Sequence, residues 1–131
     1  MINGYISVWR EMATKPIWLN STPEQKVVLI ALLMKVNHAP AQWEWKGKQY
    51  EVQRGQTITS LDGIQKWCGK GISTQNIRSA LARFEKLQFL TNESTKQGRL
   101  ITILNYDTYQ DVEKKVTNEL TTSKQRPNKE L

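Results

Sequence analysis

The sequence predicts a mostly helical α+β domain, and three observations carry that expectation. A strongly apolar helix opens at a capping sequence, Thr22-Pro23-Glu24-Gln25. Two further helices are separated by a tight glycine turn at Gly69–Gly71. Two stretches, 43–52 and 90–103, alternate with period two around turn residues and read as hairpins. The 131 residues suit one domain, placed at 1–110, and a tail at 111–131.

The elements follow in order. Residues 5–18 place Ile6, Trp9, Met12 and Ala13 at helical spacing, and Pro16 is expected to end that helix. Ile17 and Trp18 then pack on the body of the domain. From Thr22 the capping box, Pro23 at the first helical position and acidic Glu24 near the positive end of the dipole define a start. This helix runs to about Asn37. Its apolar residues from Val27 to Val36 cover nearly the whole circumference, which predicts a central, buried helix. Trp43, Trp45, Tyr50 and Val52 flank a Lys46-Gly47-Lys48 turn, an aromatic-faced hairpin lying between the first and second core helices.

Thr57-Ile58-Thr59 is a short extended piece. Ser60 caps a second helix with Leu61, Ile64, Trp67 and Cys68 at spacings of three and four, and Gly69 and Gly71 end it. Ser73 caps a third helix to about Leu87. Ile77, Ala80, Leu81, Phe84 and Leu87 share one side of it, and Gln75, Arg78, Ser79, Ala82 and Lys86 share the other. Leu90–Ser94 and Arg99–Ile103 then form a second hairpin around Thr95-Lys96-Gln97-Gly98. Asn105, Tyr106 and Tyr109 close the domain. The tail is polar and linker-like, with Val112, Val116 and Leu120 as one face of a weak helix.

Composition narrows the function classes. The longest apolar run, Val27 to Met34, is about half of what a bilayer crossing needs. The start at Met1-Ile2-Asn3-Gly4 lacks a basic segment followed by an apolar one, so no secretory signal is expected. Cys68 is the one cysteine, which rules out an internal disulfide and suits a reducing, cytoplasmic compartment. The net charge of +7 favours a polyanionic partner. Between Ile64 and Arg99 seven basic residues face two acidic ones, so most of that excess sits on the second and third core helices and the second hairpin.

Helix, short helix, glycine turn, amphipathic helix and two-stranded hairpin, in that order, make a winged helix-turn-helix. The second helix of the pair fits a DNA major groove, the first braces it across the backbone, and the wing reaches adjacent phosphates or the minor groove. Ser73, Thr74 and Gln75 lie at the helix N-terminus, where backbone amides favour a phosphate. Gln75 and Arg78, with Ser79 beside them, are placed to reach base edges; Gln prefers adenine and Arg guanine. Lys70, Arg83, Lys86, Lys96 and Arg99 suit phosphates, with Arg83 nearest the edge of the exposed face.

Catalysis has little support. His38 follows a helix end and suits the dipole there better than base chemistry. Cys68 has no metal-ligand companion and reads as a small core residue. Gly69-Lys70-Gly71-Ile72-Ser73 lacks the preceding strand and the spacing of a nucleotide-phosphate loop. No enzyme, cofactor or metal is expected.

Several short pieces carry a family resemblance: Pro16-Ile17-Trp18, Thr22 through Leu29, Gly55-Gln56-Thr57-Ile58-Thr59-Ser60, and Arg99 through Ile103. Over roughly residues 4–110 the chain resembles the N-terminal domain of phage replisome organisers and DnaD-like primosome proteins of Gram-positive bacteria and their phages. That resemblance implies binding to duplex origin or single-stranded DNA, self-association, and help in loading a replicative helicase in a bacterial host. In such proteins a polar tail like 111–131 leads to a C-terminal domain. The resemblance implies contact with a helicase loader or helicase through such a C-terminal domain, and helicase loading by residues 1–131 alone is not expected. Two other readings stay open. One is a phage transcriptional regulator. The other is a module that binds a protein partner or a second copy through Trp43, Trp45 and Tyr50, aromatic types common at interfaces.

Overall fold

Thr22 and Ser73 start the two long helices by the same device. The Thr22 hydroxyl accepts from the Gln25 amide at 3.1 Å, and the Gln25 side-chain oxygen accepts from the Thr22 amide at 2.9 Å. Ser73 accepts from the Asn76 amide at 3.0 Å, and the Asn76 side chain accepts from the Ser73 amide at 2.9 Å. Both are capping boxes that satisfy amides a helix leaves orphaned. The second uses asparagine where glutamate or glutamine is usual.

The computed structural model describes residues 4–110, with the backbone alone at Trp43 and Trp45. The fold is α+β. A 3-10 turn at Arg10–Thr14 leads to α1 (Pro16–Leu19) and α2 (Pro23–Lys35). The strands β1 (Ala41–Trp45), β2 (Lys48–Val52) and β3 (Gln56–Thr59) come next. Then follow α3 (Leu61–Cys68), α4 (Thr74–Lys86), β4 (Leu90–Thr95), β5 (Gly98–Ile103) and α5 (Tyr106–Gln110). The expected weak helix at Val112, Val116 and Leu120 lies outside the described residues, as does the whole 111–131 tail.

Two small antiparallel sheets result. Among the described residues β1 and β2 pair only with each other, with Trp43 opposite Tyr50 and Trp45 opposite Lys48. β3, β5 and β4 form the second sheet in that order. β3 precedes α3 and β5 follows α4, so this sheet ties together the two ends of the helical pair. Thr57 stands opposite Ile101 and Ser94 opposite Arg99.

The core lies between α2, α3, α4 and the inner face of that sheet. Leu29, Leu32, Ile64, Ile77, Phe84 and Ile101 are fully buried within it. Phe89 meets Phe84 edge-on with ring centroids 6.0 Å apart and stacks on Tyr109 at 5.9 Å. Burial of such side chains contributes roughly 1.5–3 kcal/mol each.

Four sequence expectations need correction. The single helix over 5–18 is not formed; Pro16 begins α1 instead of ending a helix. Lys15 is extended (φ −92°, ψ 150°), as the residue before proline favours, and this separates the 3-10 turn from α1. Upstream, Ser7 is bound to Gln110 through two hydrogen bonds, and the Trp9 indole donates to the Tyr109 carbonyl at 2.9 Å. These long-range ties hold residues 7–9 outside a helix.

α2 is buried on one side only. Val28, Leu29, Ala31, Leu32 and Leu33 are buried, whereas Val27 and Met34, seven residues apart on one face, are 40% and 56% exposed. α3 and α4 cover only the inner side of α2. Leu87 is 41% exposed because α4 ends at Lys86 and turns there. His38 lies past the end of α2, so the basic side chain in the last turn is Lys35; the His38 ring meets the Tyr106 hydroxyl at 3.2 Å.

Candidate nucleic-acid interface

α4 divides cleanly into two faces. Ile77, Ala80, Leu81 and Phe84 are buried, while Gln75, Arg78, Ser79, Ala82 and Lys86 are exposed. The Gln75 amide nitrogen lies 3.5 Å from the Ser79 hydroxyl one turn along, a loose contact that leaves both available. The turn before α4 is set by Gly69 (φ 84°) and Gly71 (φ 99°), conformations that side-chain-bearing residues adopt at a cost. The Gln65 side chain braces it by donating to the Ile72 carbonyl at 2.8 Å. Lys70 stands exposed between the glycines.

The β4–β5 hairpin stands beside the N-terminal half of α4. Between them, with the start of α3 as a third wall, lies an open cleft of about 470 Å³. Arg78 and Thr74 enter it from α4, and Arg99, Ser94 and Thr95 from the hairpin. Thr59, Ser60 and Asp62 enter from the β3–α3 junction. Lys96 is exposed at the turn of the hairpin.

The structure thus brings Thr74, Arg78 and Arg99 to one cleft, with Ser73 at its edge as the α4 cap and Gln75, Ser79 and Lys86 along the adjoining helix face. The ion pairs Lys15–Glu11 at 3.2 Å and Arg54–Asp107 at 2.6 Å involve none of these basic side chains.

Arg83 is not part of this set. It is half-buried, its Nε donates to the Ser21 hydroxyl at 2.9 Å, and its Nη2 donates to the Pro16 carbonyl at 3.1 Å. These bonds join α4 to the α1–α2 junction. The helical wheel puts Arg83 at the border of the exposed face, and only the position of Pro16 and Ser21, distant in sequence, turns it inward.

Sequence reasoning also missed Asp62 and the hydroxyls of Thr59, Ser94 and Thr95. Thr59 and Asp62 are brought there by the pairing of β3 with β5, which is non-local and has no sequence signature of its own, whereas Ser94 and Thr95 lie on the hairpin itself. Of the aromatic surface, Trp43 and Tyr50 are cross-strand partners and Trp45 lies two residues along from Trp43, so the register puts all three positions on one side of the β1–β2 pair. Tyr50 is half-buried.

Cys68 is partly buried with Trp67 against the core, and that burial pushes its thiol above the ordinary value of 9.0. A raised thiol pKa disfavours the thiolate that metal binding or nucleophilic attack requires. Among the described residues no group of three or more His, Cys, Asp or Glu side chains is placed to hold a metal ion. Nor is any described helix long and apolar enough to cross a membrane. No protein-family model, curated protein or solved structure significantly matches the chain.

Proposed function

We propose that this chain is a winged-helix DNA-binding protein without catalytic activity, which engages DNA through the exposed face of α4 and the β4–β5 wing. One observation carries the reading. Gln75, Arg78, Ser79 and Lys86 form an exposed polar helix face whose apolar side is locked in the core, and this face adjoins a hairpin bearing Lys96 and Arg99. None of these cations has an ion-pair partner among the described residues. A helix of this width presents its side chains to a major groove, and the hairpin reaches the backbone alongside. The resemblance to replisome organisers and primosome proteins adds the biological role: replication initiation of phage or prophage type, on duplex origin or single-stranded DNA.

Titration of the purified chain against labelled duplex and single-stranded DNA at two salt concentrations tests this. Affinity is expected to fall steeply with salt, because each neutralised phosphate releases counterions. The double variant Arg78→Ala/Lys86→Ala is expected to bind at least about tenfold more weakly, from losses of roughly 1–3 kcal/mol at a base-reading arginine. Its unfolding transition should stay close to that of the parent, because both side chains are exposed. Normal binding by a folded double variant removes α4 from the interface.

A second reading rests on the β1–β2 hairpin, which forms its own sheet outside the three-stranded one. It makes Trp43, Trp45 and Tyr50 a surface for a protein partner or a second copy. Under it, Trp45→Ala breaks a complex or oligomer and leaves DNA affinity unchanged.

A further inference from the structure

The cleft beside α4 is lined by opposite charges that form no ion pair with one another. Arg78 and Arg99 enter it from two sides, and Asp62, the second residue of α3, enters from the third. Asp62 forms no ion pair with either arginine. The Asp62 side chain is exposed, as is that of Arg78. An acceptor-only group and two donor-only groups therefore open on one space.

The chemistry of the occupant follows from that mixture. A phosphate complements the two guanidinium groups and is repelled by the carboxylate. A nucleobase edge offers acceptors and an amino donor side by side. In the major groove a G·C pair presents O6 and N7 of guanine as acceptors for a bidentate arginine, and the N4 amino group of cytosine as a donor to an acidic side chain. An A·T pair offers one amino donor between single acceptors and cannot engage an arginine bidentately through one purine.

We propose that this cleft reads the major-groove edge of a G·C pair, with Asp62 as a specificity-determining residue that accepts from the cytosine amino group while Arg78 donates to guanine. The inference rests on the DNA-binding reading above. It assigns Asp62 a role opposite to that of the surrounding cations: it lowers affinity for DNA in general and raises selectivity.

The test uses the full chain and two duplex probes of equal length, one of alternating G·C pairs and one of alternating A·T pairs. The parent is expected to bind the G·C probe about fivefold tighter or more, the lower end of what one good base contact discriminates. Asp62→Ala, which removes the acceptor, is expected to lower that ratio at least about twofold, leaving the part that Arg78 supplies at guanine, while affinity for the A·T probe holds or rises. That retained affinity also shows that the variant is folded. Asp62→Asn, which keeps an acceptor oxygen without the charge, is expected to preserve part of the ratio. If both variants gain affinity for both probes equally and the ratio stays put, Asp62 only repels phosphates and the proposal is overturned. Equal binding of the two probes by the parent also overturns it and leaves DNA binding intact. Binding of neither probe overturns the DNA-binding reading itself.

Discussion

The chain builds two β-hairpins of similar length from similar local chemistry, and they end up in different situations. β1–β2 turns at Lys46-Gly47, with φ of 52° and 78°. Those left-handed values match the right-handed twist of the flanking strands, the tight-turn solution that favours glycine at the second position. Its strands remain a separate two-stranded sheet, in which Val52 is the buried residue among those described. β4–β5 turns at Lys96-Gln97, but β5 also pairs along its other edge with β3, and Leu90, Ile101 and Ile103 are buried beneath it. A turn and an alternating pattern specify a hairpin. Only tertiary pairing decides whether it becomes part of the body of the domain.

If that contrast holds, truncation in the central strand of the second sheet should cost far more than truncation on the exposed surface of the separate hairpin. Ile101→Ala removes a fully buried side chain from the strand between β3 and β4. A loss of about 2–5 kcal/mol is expected in urea unfolding, the range for large-to-small changes in a packed core. Gln49→Ala, at an exposed position in β2, is expected to stay within about 0.5 kcal/mol of the parent. Similar losses at the two positions would erase the distinction between the hairpins.

The turn glycines refine the contrast at a smaller scale. A side chain at Gly98 (φ 137°) would bring its Cβ to 2.8 Å from the Thr59 backbone carbonyl, because β3 lies directly against it. Gly47 (φ 78°) has open space around it. Gly98→Ala is expected to cost about 2–3 kcal/mol, since backbone strain and a clash that only a strand shift relieves act together. Gly47→Ala is expected to cost about 1 kcal/mol, the left-handed conformation alone. Thermal unfolding of both variants measures the difference, and equal shifts in Tm would mean that β3 gives way freely at Gly98.

These positions also show which parts of the molecule were legible in the sequence. Features encoded within four residues could be read directly: the Thr22–Gln25 box, the Ser60 and Ser73 caps, the glycine turn, and the two faces of α4. The apolar count of α2 overstated its burial, because composition does not tell which side its neighbours take; Val27 and Met34 face outward. Residues 5–18 carried helical spacing, yet Ser7 and Trp9 are claimed by α5, about a hundred positions away. The candidate site divided along the same line. The helix face of Gln75, Arg78, Ser79 and Lys86 was readable from its period, whereas the inward turn of Arg83 and the presence of Asp62 depend on partners brought near by the fold.

Function provides the smallest and most discriminating contrast between the hairpins, because both carry lysine at the turn. Charge alone would make Lys48 and Lys96 equivalent contributors to binding a polyanion. Position does not: Lys96 caps the hairpin that shares a cleft with Arg78 of α4, while Lys48 begins a strand of the separate sheet. On the winged-helix reading, Lys96→Ala removes one phosphate contact. It is expected to weaken duplex binding about two- to threefold and to lower the slope of log affinity against log salt by about one, the signature of one counterion fewer released. Lys48→Ala is expected to leave that slope where it is. Both side chains are exposed, so neither change should alter folding enough to confuse the comparison. Equal reductions in slope would mean that the DNA path crosses both hairpins. A reduction at Lys48 alone would move the interface to the aromatic hairpin and away from α4.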